Sequence, residues 1–460
     1  SLSDDNLARH VREIDNVRAA LDWSFSPAGD PAIGVDLTAA YAPVWRHLSL
    51  MSECSERCER ALLSLEPQVT TNMSLRMELQ INLASAIFIT MGPPEQAKTL
   101  LIEALETADA LNDLNAQAGA LSMLISIYFA RGEFGRAQIA AERIEQVAHR
   151  IGDPVHLRFA YQQMAATLLT RGRSREAQQY LERLLRSPAA SGDPRDAIYY
   201  NSNDHAADRA TLAQALWMQG FAEQAVNEAR LCLKELQGAD HPLLLCRALY
   251  GIGRMSTMIC DFATADREIA RLIEVTKGSN AHFWEAAARF LKGKLLVERG
   301  EFAQGLLVLR DAFETCDRTG WHISYEEYKG ALALGLAGTG KLDEALVALD
   351  DAMATEGADG RGWFAPELLR IKGEVLLQQA ADQLALAAED CFTQAAQMAR
   401  EQDALFWELR VALSVARLRV SQGRHREARA LLASVYDRFT EGFAIADMQA
   451  ARTLLEGLPP

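Results

Sequence analysis

The segment from Gly335 to Leu342 comes nearest to a known catalytic motif. It reads Gly-Leu-Ala-Gly-Thr-Gly-Lys-Leu, one position away from the phosphate-binding pattern GxxxxGK followed by Ser or Thr. In that pattern the glycine-rich backbone and the lysine hold phosphates, and the final hydroxyl holds Mg²⁺. Leu342 replaces the hydroxyl, and no strand pattern precedes the segment. We therefore predict that this chain neither binds nor hydrolyses ATP.

Metal-binding and nucleophilic arrangements are equally sparse. Cys54 and Cys58 are four residues apart, so one helix face could carry both thiols to a metal, but no third or fourth ligand lies nearby in the sequence. Cysteine is also commonly a small buried apolar residue, which is the role we expect here. The nine histidines form no HExxH motif, and no Ser-His-Asp set or carboxylate pair stands out. We predict no enzymatic activity, no metal and no cofactor.

The P-loop-like segment falls on a turn that recurs along the chain. Near-copies of Gly132-Glu-Phe-Gly-Arg-Ala137 place a glycine five residues before an alanine. The pairs are Gly92/Ala97, Gly132/Ala137, Gly172/Ala177, Gly220/Ala225, Gly340/Ala345 and Gly423/Ala428, with relaxed copies at Cys260/Ala265 and Gly300/Gly305. Most steps between successive turns are 40 residues, and a degenerate copy near Ala380 fills the gap before 423. A fixed period of this size is typical of stacked repeats.

Each repeat is interpreted as two helices joined by this turn. The glycine accepts the left-handed backbone that ends the first helix, and the small alanine lets the second helix pack closely. Each pair then leaves an apolar face that only the next pair can cover. The sequence predicts an all-α solenoid, a right-handed superhelix of eight to nine helix pairs with no sheet. We assign residues 1–66 to a helical junction region and residues 67–460 to the superhelix.

An insert at 187–205 lengthens the step from Gly172 to Gly220. It places Tyr199 and Tyr200 among polar residues in a long loop of an otherwise regular array. Either the tyrosines cover neighbouring core, or the loop is a lid or wall of a binding site, since loops on rigid scaffolds often carry function.

Composition excludes several classes of protein. Hydrophobic residues make up 49% of the chain, enough for a continuous core, whereas a net charge of −15 argues against a nucleic-acid surface. No apolar run approaches the ~18 residues of a membrane span, and no signal peptide opens the chain. Seven scattered cysteines suit a reducing cytoplasm. Because the chain begins at Ser1 with helix signals close behind, we expect a fragment of a longer protein.

The turns resemble tetratricopeptide repeats, with a period of 40 in place of the usual 34. Small residues seven positions before the turn, at Gly253, Gly293, Ala333 and Gly373, strengthen that resemblance. HEAT repeats share the longer period but lack this turn, so they rank second.

Three stretches resemble the C-terminal region of bacterial STAND-type signalling ATPases of the winged-helix transcriptional regulator type. They are Asp15–Trp23, Pro366–Glu374, and Trp407–Arg410 continued at Phe439–Phe443. In that family an output domain and an ATPase domain precede a helical-repeat sensor. The resemblance therefore implies a cytoplasmic sensor domain for signal transduction. A small-molecule inducer, or a protein or peptide in the concave groove, would control the parent's ATPase and output domains, and Asp15–Trp23 would lie at the junction. The alternative is a protein–protein interaction scaffold without an inducer; in neither case do we expect direct contact with nucleic acid or membrane.

The tetratricopeptide resemblance also implies which side chains line the groove. Counting back from each turn places these residues on the concave wall: Gln162, Gln214, Trp217, Arg247, Tyr250, Arg254, Phe290, Lys294, Glu327, Arg370 and Glu374. Trp217, Tyr250 and Phe290 would supply apolar walls, while Arg254, Lys294 and Arg370 would hold an anion or carboxylate. The alternative is that Glu298, Glu327, Glu367 and Glu374 pair with these bases across repeats. We expect such pairs to be solvated and worth about 0–1 kcal/mol each.

Overall fold

The computed structural model describes residues 4–48, 50–65, 72–152, 154–186, 205–237, 242–277, 282–320, 322, 324–355, 362–379 and 382–459. Within these ranges the chain forms 22 α-helices and no strand. The first nine are α1 (Asp4–Ser24), α2 (Pro31–His47), α3 (Met51–Ser64), α4 (Met73–Met91), α5 (Glu95–Leu111), α6 (Leu114–Ala130), α7 (Phe134–Ile151), α8 (Pro154–Thr170) and α9 (Ser174–Arg186). The next seven are α10 (His205–Met218), α11 (Ala222–Glu235), α12 (Pro242–Met258), α13 (Phe262–Thr276), α14 (His282–Glu298), α15 (Phe302–Thr319) and α16 (Tyr325–Gly338). The last six are α17 (Leu342–Thr355), α18 (Ala365–Gln378), α19 (Asp382–Glu401), α20 (Leu405–Ser421), α21 (His425–Tyr436) and α22 (Ala446–Glu456).

In the part of the chain that the structure describes, the predicted turn joins the two helices of a pair, whereas the degenerate copy near Ala380 lies outside the described residues. Gly132 has a φ of +71°, and the amide of Glu133 donates to the carbonyl oxygen of Tyr128 at 2.8 Å, which satisfies a carbonyl at the end of α6. Cys260, the relaxed copy, adopts the same left-handed region with a φ of +61°. The all-α repeat fold predicted from the sequence is thus confirmed.

Small residues set the distance between the helices of a pair. The alanine five residues after each turn is fully buried at these positions: Ala97, Ala137, Ala177, Ala225, Ala265, Ala345 and Ala428. Gly293 of α14 faces Leu309 of α15, and a Cβ on that glycine would lie 2.7 Å from the leucine side chain. The small residue seven positions before the turn therefore permits close packing of the second helix.

The described residues divide into two compact units. The first contains residues 4–163 together with 319 and 320, and the second contains 164–186, 205–318 and the chain from 322 onward. The predicted boundary at residue 66 stays a prediction, as do the handedness and the number of repeats. The insert lies outside the described residues except for His205, which begins α10.

No helix in the described ranges is long and apolar enough to cross a membrane.

Candidate ligand-binding site in the second unit

Three charged side chains from successive first helices meet in the interior of the second unit. Glu327 of α16 is fully buried, and its Oε1 accepts a hydrogen bond from Nζ of Lys294 on α14 at 2.6 Å. Its Oε2 accepts from Nε of Arg254 on α12 at 2.7 Å. Arg254 Nη1 also donates to Oε1 of Gln214 on α10 at 3.2 Å. Arg254, Lys294 and Glu327, hereafter the inner ion cluster, therefore connect several repeats.

The repeat register explains why these side chains meet. Gln214, Arg254 and Lys294 each lie six residues before their turn, so they occupy the same place on three successive first helices. Glu327 lies in the first turn of α16, the first helix of the next repeat, and contacts Arg254 and Lys294 from there. The sequence placed all four on one wall, and the structure brings all four into contact.

Aromatic hydroxyls lie beside the inner ion cluster. The hydroxyl oxygens of Tyr250 and Tyr328 are 2.8 Å apart, and Tyr250 donates to Ser324 Oγ at 3.5 Å. The Tyr328 ring stacks on Phe290 with centroids 4.4 Å apart. Tyr250 and Phe290, two residues predicted to form apolar walls, are thus joined through Tyr328, which is not in the predicted groove set.

A second group of charges surrounds Glu367 of α18. Arg370 donates to both carboxylate oxygens of Glu367, at 2.7 and 2.9 Å, and its Nη1 lies 3.5 Å from Oε1 of Glu374. Arg410 of α20 lies 3.4 Å from Glu367 and donates to Asp447 at 2.9 Å. Arg410 is missing from the predicted set although it lies thirteen residues before Gly423, so extending the same count to the last turn would have found it.

Tryptophans cover the guanidinium groups of this interior. The Arg254 guanidinium lies 4.4 Å from the centroid of the Trp363 ring, and that of Arg410 lies 5.6 Å from Trp217 and 5.3 Å from Trp407. Cations over aromatic faces are stabilised by the ring quadrupole, and more strongly where water is absent. Trp217 is one of the predicted groove residues, whereas Trp363, which precedes α18, is not in the predicted set.

Burial and charge move the pKa values of two neighbouring carboxyls in opposite directions. Burial raises the pKa of Glu327, but Arg254 and Lys294 outweigh burial and hold the pKa below its ordinary value. Burial also raises the pKa of Glu326, and the adjacent Glu327 charge raises it further, to about 7. The Glu327 carboxyl is therefore charged near neutral pH, and Glu326 beside it titrates near neutrality.

Three further residues named in the sequence predictions are Arg247, Gln162 and Glu298. Arg247 Nη2 is 3.8 Å from Oδ1 of Asp208, which is buried on α10. Gln162 is buried in the first unit. Glu298 is exposed at the end of α14. Their place in a common binding site stays a prediction.

The charge pairs differ from the expectation in one respect. Glu327 and Glu367 do pair with bases across repeats, but the pairs are buried and not solvated, because 0% and 5% of the two side chains are exposed. Removal of a partner then leaves an uncompensated buried charge, which costs several kcal/mol, not a fraction of one.

The P-loop-like segment, Gly335–Leu342, forms the end of α16 and the turn that follows. Gly335 and Gly338 lie inside α16, Gly340 forms the turn with a φ of +81°, and Lys341 Nζ donates to Glu344 at 2.8 Å.

Cys54 and Cys58 are buried in α3. No group of three or more potential metal-ligating His, Cys, Asp and Glu side chains occurs among the described residues.

Comparison with known proteins supports the fold. No family model matches the chain, and no curated protein matches it. A crystal structure of a Rap protein complexed with Competence and Sporulation Factor aligns at a TM-score of 0.58 and 13% identity, covering 80% of this chain and 99% of that chain. A tetratricopeptide repeat protein from Parabacteroides merdae aligns at a TM-score of 0.28 and 15% identity, covering 71% and 97%. A monomeric mutant of IFIT1 with Gppp-AAAA aligns at a TM-score of 0.43 and 14% identity, covering 99% of this chain and 95% of that chain. The Rap match shows that the chain has a tetratricopeptide-like repeat fold.

Proposed function

We propose that the chain is the sensing region of a bacterial STAND-type signalling protein and that its second unit binds a ligand. The binding surface, hereafter the inner face, is lined by Trp217, Tyr250, Arg254, Phe290, Lys294 and Glu327. The observation that carries this proposal is the pair of buried ion pairs that Glu327 forms with Arg254 and Lys294, next to aromatic rings such as Trp363. Binding sites are typically apolar and aromatic, with a few convergent polar groups that fix orientation. The inner face of the second unit has that composition.

Stability alone is a poor reason for such an interior. Taking charges out of water costs as much as their attraction returns, so apolar side chains of similar volume usually serve a core equally well. Buried bases held by a carboxylate can instead exchange that carboxylate for the acidic group of a ligand. We infer a ligand with an anionic group for Arg254 and Lys294 and an apolar part for Trp217 or Phe290.

Control of the parent would follow from a shift between conformations. A ligand favours one arrangement only by binding it more tightly than the other. Here the ligand would replace contacts of Glu327 that hold α12, α14 and α16 together, which changes how these helices pack. The resemblance of Asp15–Trp23 to the family supports a role for the first unit in passing that change to the ATPase. The likeness to a Rap protein is an analogy of fold only.

The test is a ligand screen on the chain. Carboxylate-bearing metabolites and acidic peptides would be screened by thermal shift, and each hit would be titrated by calorimetry. Lys294→Met and Tyr250→Phe alter the inner face, whereas Arg452→Ala removes an exposed pair with Glu456 and is the control. We expect binding to weaken at least tenfold in both inner variants and to be unchanged in the control.

Two outcomes would overturn this assignment. Hits that bind all three variants equally would place the ligand elsewhere. A protein partner captured with equal affinity by wild type and inner variants, with no small ligand found, would instead favour a scaffold without an inducer.

A further inference from the structure

The connection between α21 and α22 contacts the start of α11, more than two hundred residues earlier in the chain. Oε1 of Glu441 accepts hydrogen bonds from the amides of Glu223 and Gln224 at 2.9 and 3.1 Å. In return, Oε1 of Glu223 accepts from the amide of Gly442 at 3.1 Å. Such reciprocal capping normally occurs within one helix. Here α11 begins after Phe221, which has no side-chain acceptor, so the carboxylate from the distant segment satisfies its first amides.

Apolar contacts continue this junction towards the inner face. Phe439 packs against Phe406 with ring centroids 5.0 Å apart, and Phe406 stacks on Trp217 of α10 at the same distance. A Cβ on Gly442 would lie 2.6 Å from Cβ of Ala222. The two backbones therefore approach as closely as glycine allows.

Two further hydrogen bonds link early helices of the second unit, α8 and α12, to its late part, at Trp363 and α20. The amide of Trp363 donates to the carbonyl of Thr170 at the end of α8, at 2.9 Å. Arg410 of α20 donates to the carbonyl of Met258 at the end of α12, at 2.8 Å. Early and late helix pairs of the second unit thus meet, and Trp363 and Arg410 are also side chains of the charged interior. The junction closes the unit around its inner face.

We propose that Phe439–Gly442 is a latch whose release opens the second unit and gives a ligand access to the inner ion cluster. The hydrogen bonds of Glu441 are suited to release, because their partners on α11, Glu223 and Gln224, are exposed to solvent. A cleft of about 590 Å³ between α9, α10 and α11 borders Glu441, so water reaches the capping carboxylate. The latch rests on the proposed function only for the ligand that it admits, because release of Phe439–Gly442 is proposed to occur without a ligand.

A matched pair of glycine substitutions tests the latch. Gly442 and Gly340 have nearly equal φ values of +80° and +81°, so alanine strains both backbones alike. An added Cβ meets Ala222 at Gly442 and nothing within 4 Å at Gly340. Any difference between Gly442→Ala and Gly340→Ala therefore reports the contact with α11. Glu441→Gln is a milder second variant that keeps the shape of the side chain and weakens the cap.

Hydrogen–deuterium exchange of the whole chain, without ligand, is the measurement. We expect Gly442→Ala to exchange about tenfold faster at residues 222–226 and in the inner helices α10 and α12, and Glu441→Gln to show a smaller increase at the same places. Gly340→Ala should affect only its own turn. Equal patterns in the two glycine variants, or faster exchange confined to residues 438–443 in both latch variants, would overturn the latch. Failure to find a ligand would leave this result unchanged.

Discussion

Glu326 lies beside the inner ion cluster without an ion-pair partner among the described residues. Only 7% of the residue is exposed, and its neighbours include the charge of Glu327 as well as Arg254. A buried carboxyl that is not paired favours its neutral form, which accounts for the pKa of about 7. The proton on this group is therefore coupled to folding.

Replacement of Glu326 by glutamine should change how stability depends on pH. Between its ordinary pKa of 4.5 and about 7, the folded protein holds a proton that the unfolded chain has lost, so wild-type stability falls as pH rises. Above that range the buried charge costs about 3 kcal/mol. Glu326→Gln should therefore gain stability relative to wild type by about that amount from pH 5 to pH 8, as measured by urea unfolding. A stability difference that does not change with pH would contradict this prediction.

Glu327 has the opposite role, because two bases depend on it. Glu327→Gln leaves Arg254 and Lys294 buried without a carboxylate, and breaking a buried pair of this kind costs about 3–5 kcal/mol. The control is Glu456→Gln, whose pair with Arg452 is exposed to solvent and should therefore contribute far less to stability. Chemical denaturation of the two variants compares the costs directly. Equal small losses would mean that solvent reaches the inner ion cluster.

At the scale of the element, glycines inside helices decide how closely a pair packs. A Cβ on Gly373 of α18 would lie 2.5 Å from the Phe392 ring on α19, whereas a Cβ on Gly119 of α6 would meet nothing within 4 Å. Gly373→Ala should thus destabilise by about 1–3 kcal/mol through overpacking. Gly119→Ala should stabilise by up to about 1 kcal/mol because alanine restricts the unfolded chain. Thermal unfolding of both variants gives the sign, and a stabilising Gly373→Ala would contradict the packing.

The helices and their turns could be predicted because the information is local. A glycine or Cys260 at the end of one helix and a buried alanine five residues later are signals that a single repeat carries in full. The same register brought Gln214, Arg254 and Lys294 together. Burial of their pairs could not be predicted, because it depends on Trp363 and on helices several repeats away.

At the scale of the whole molecule, the second unit is closed by contacts that no repeat encodes. Glu441 reaches the start of α11, and the amide of Trp363 reaches Thr170, across stretches of chain far longer than one repeat. A period read from the sequence predicts contacts between neighbouring helix pairs but not these contacts between distant ones. In the proposed latch, release of these contacts gives a ligand access to the inner ion cluster.

The most direct test of ligand binding by this interior is to remove its charges together. In Arg254→Met/Lys294→Met/Glu327→Met no charge is left unpaired, so the triple variant should melt no lower than wild type. Calorimetric titration with the tightest ligand from the screen should then show affinity lost by at least a hundredfold. A triple variant that melts several degrees lower yet binds that ligand with wild-type affinity would show that the inner ion cluster holds the fold together and that the ligand binds elsewhere.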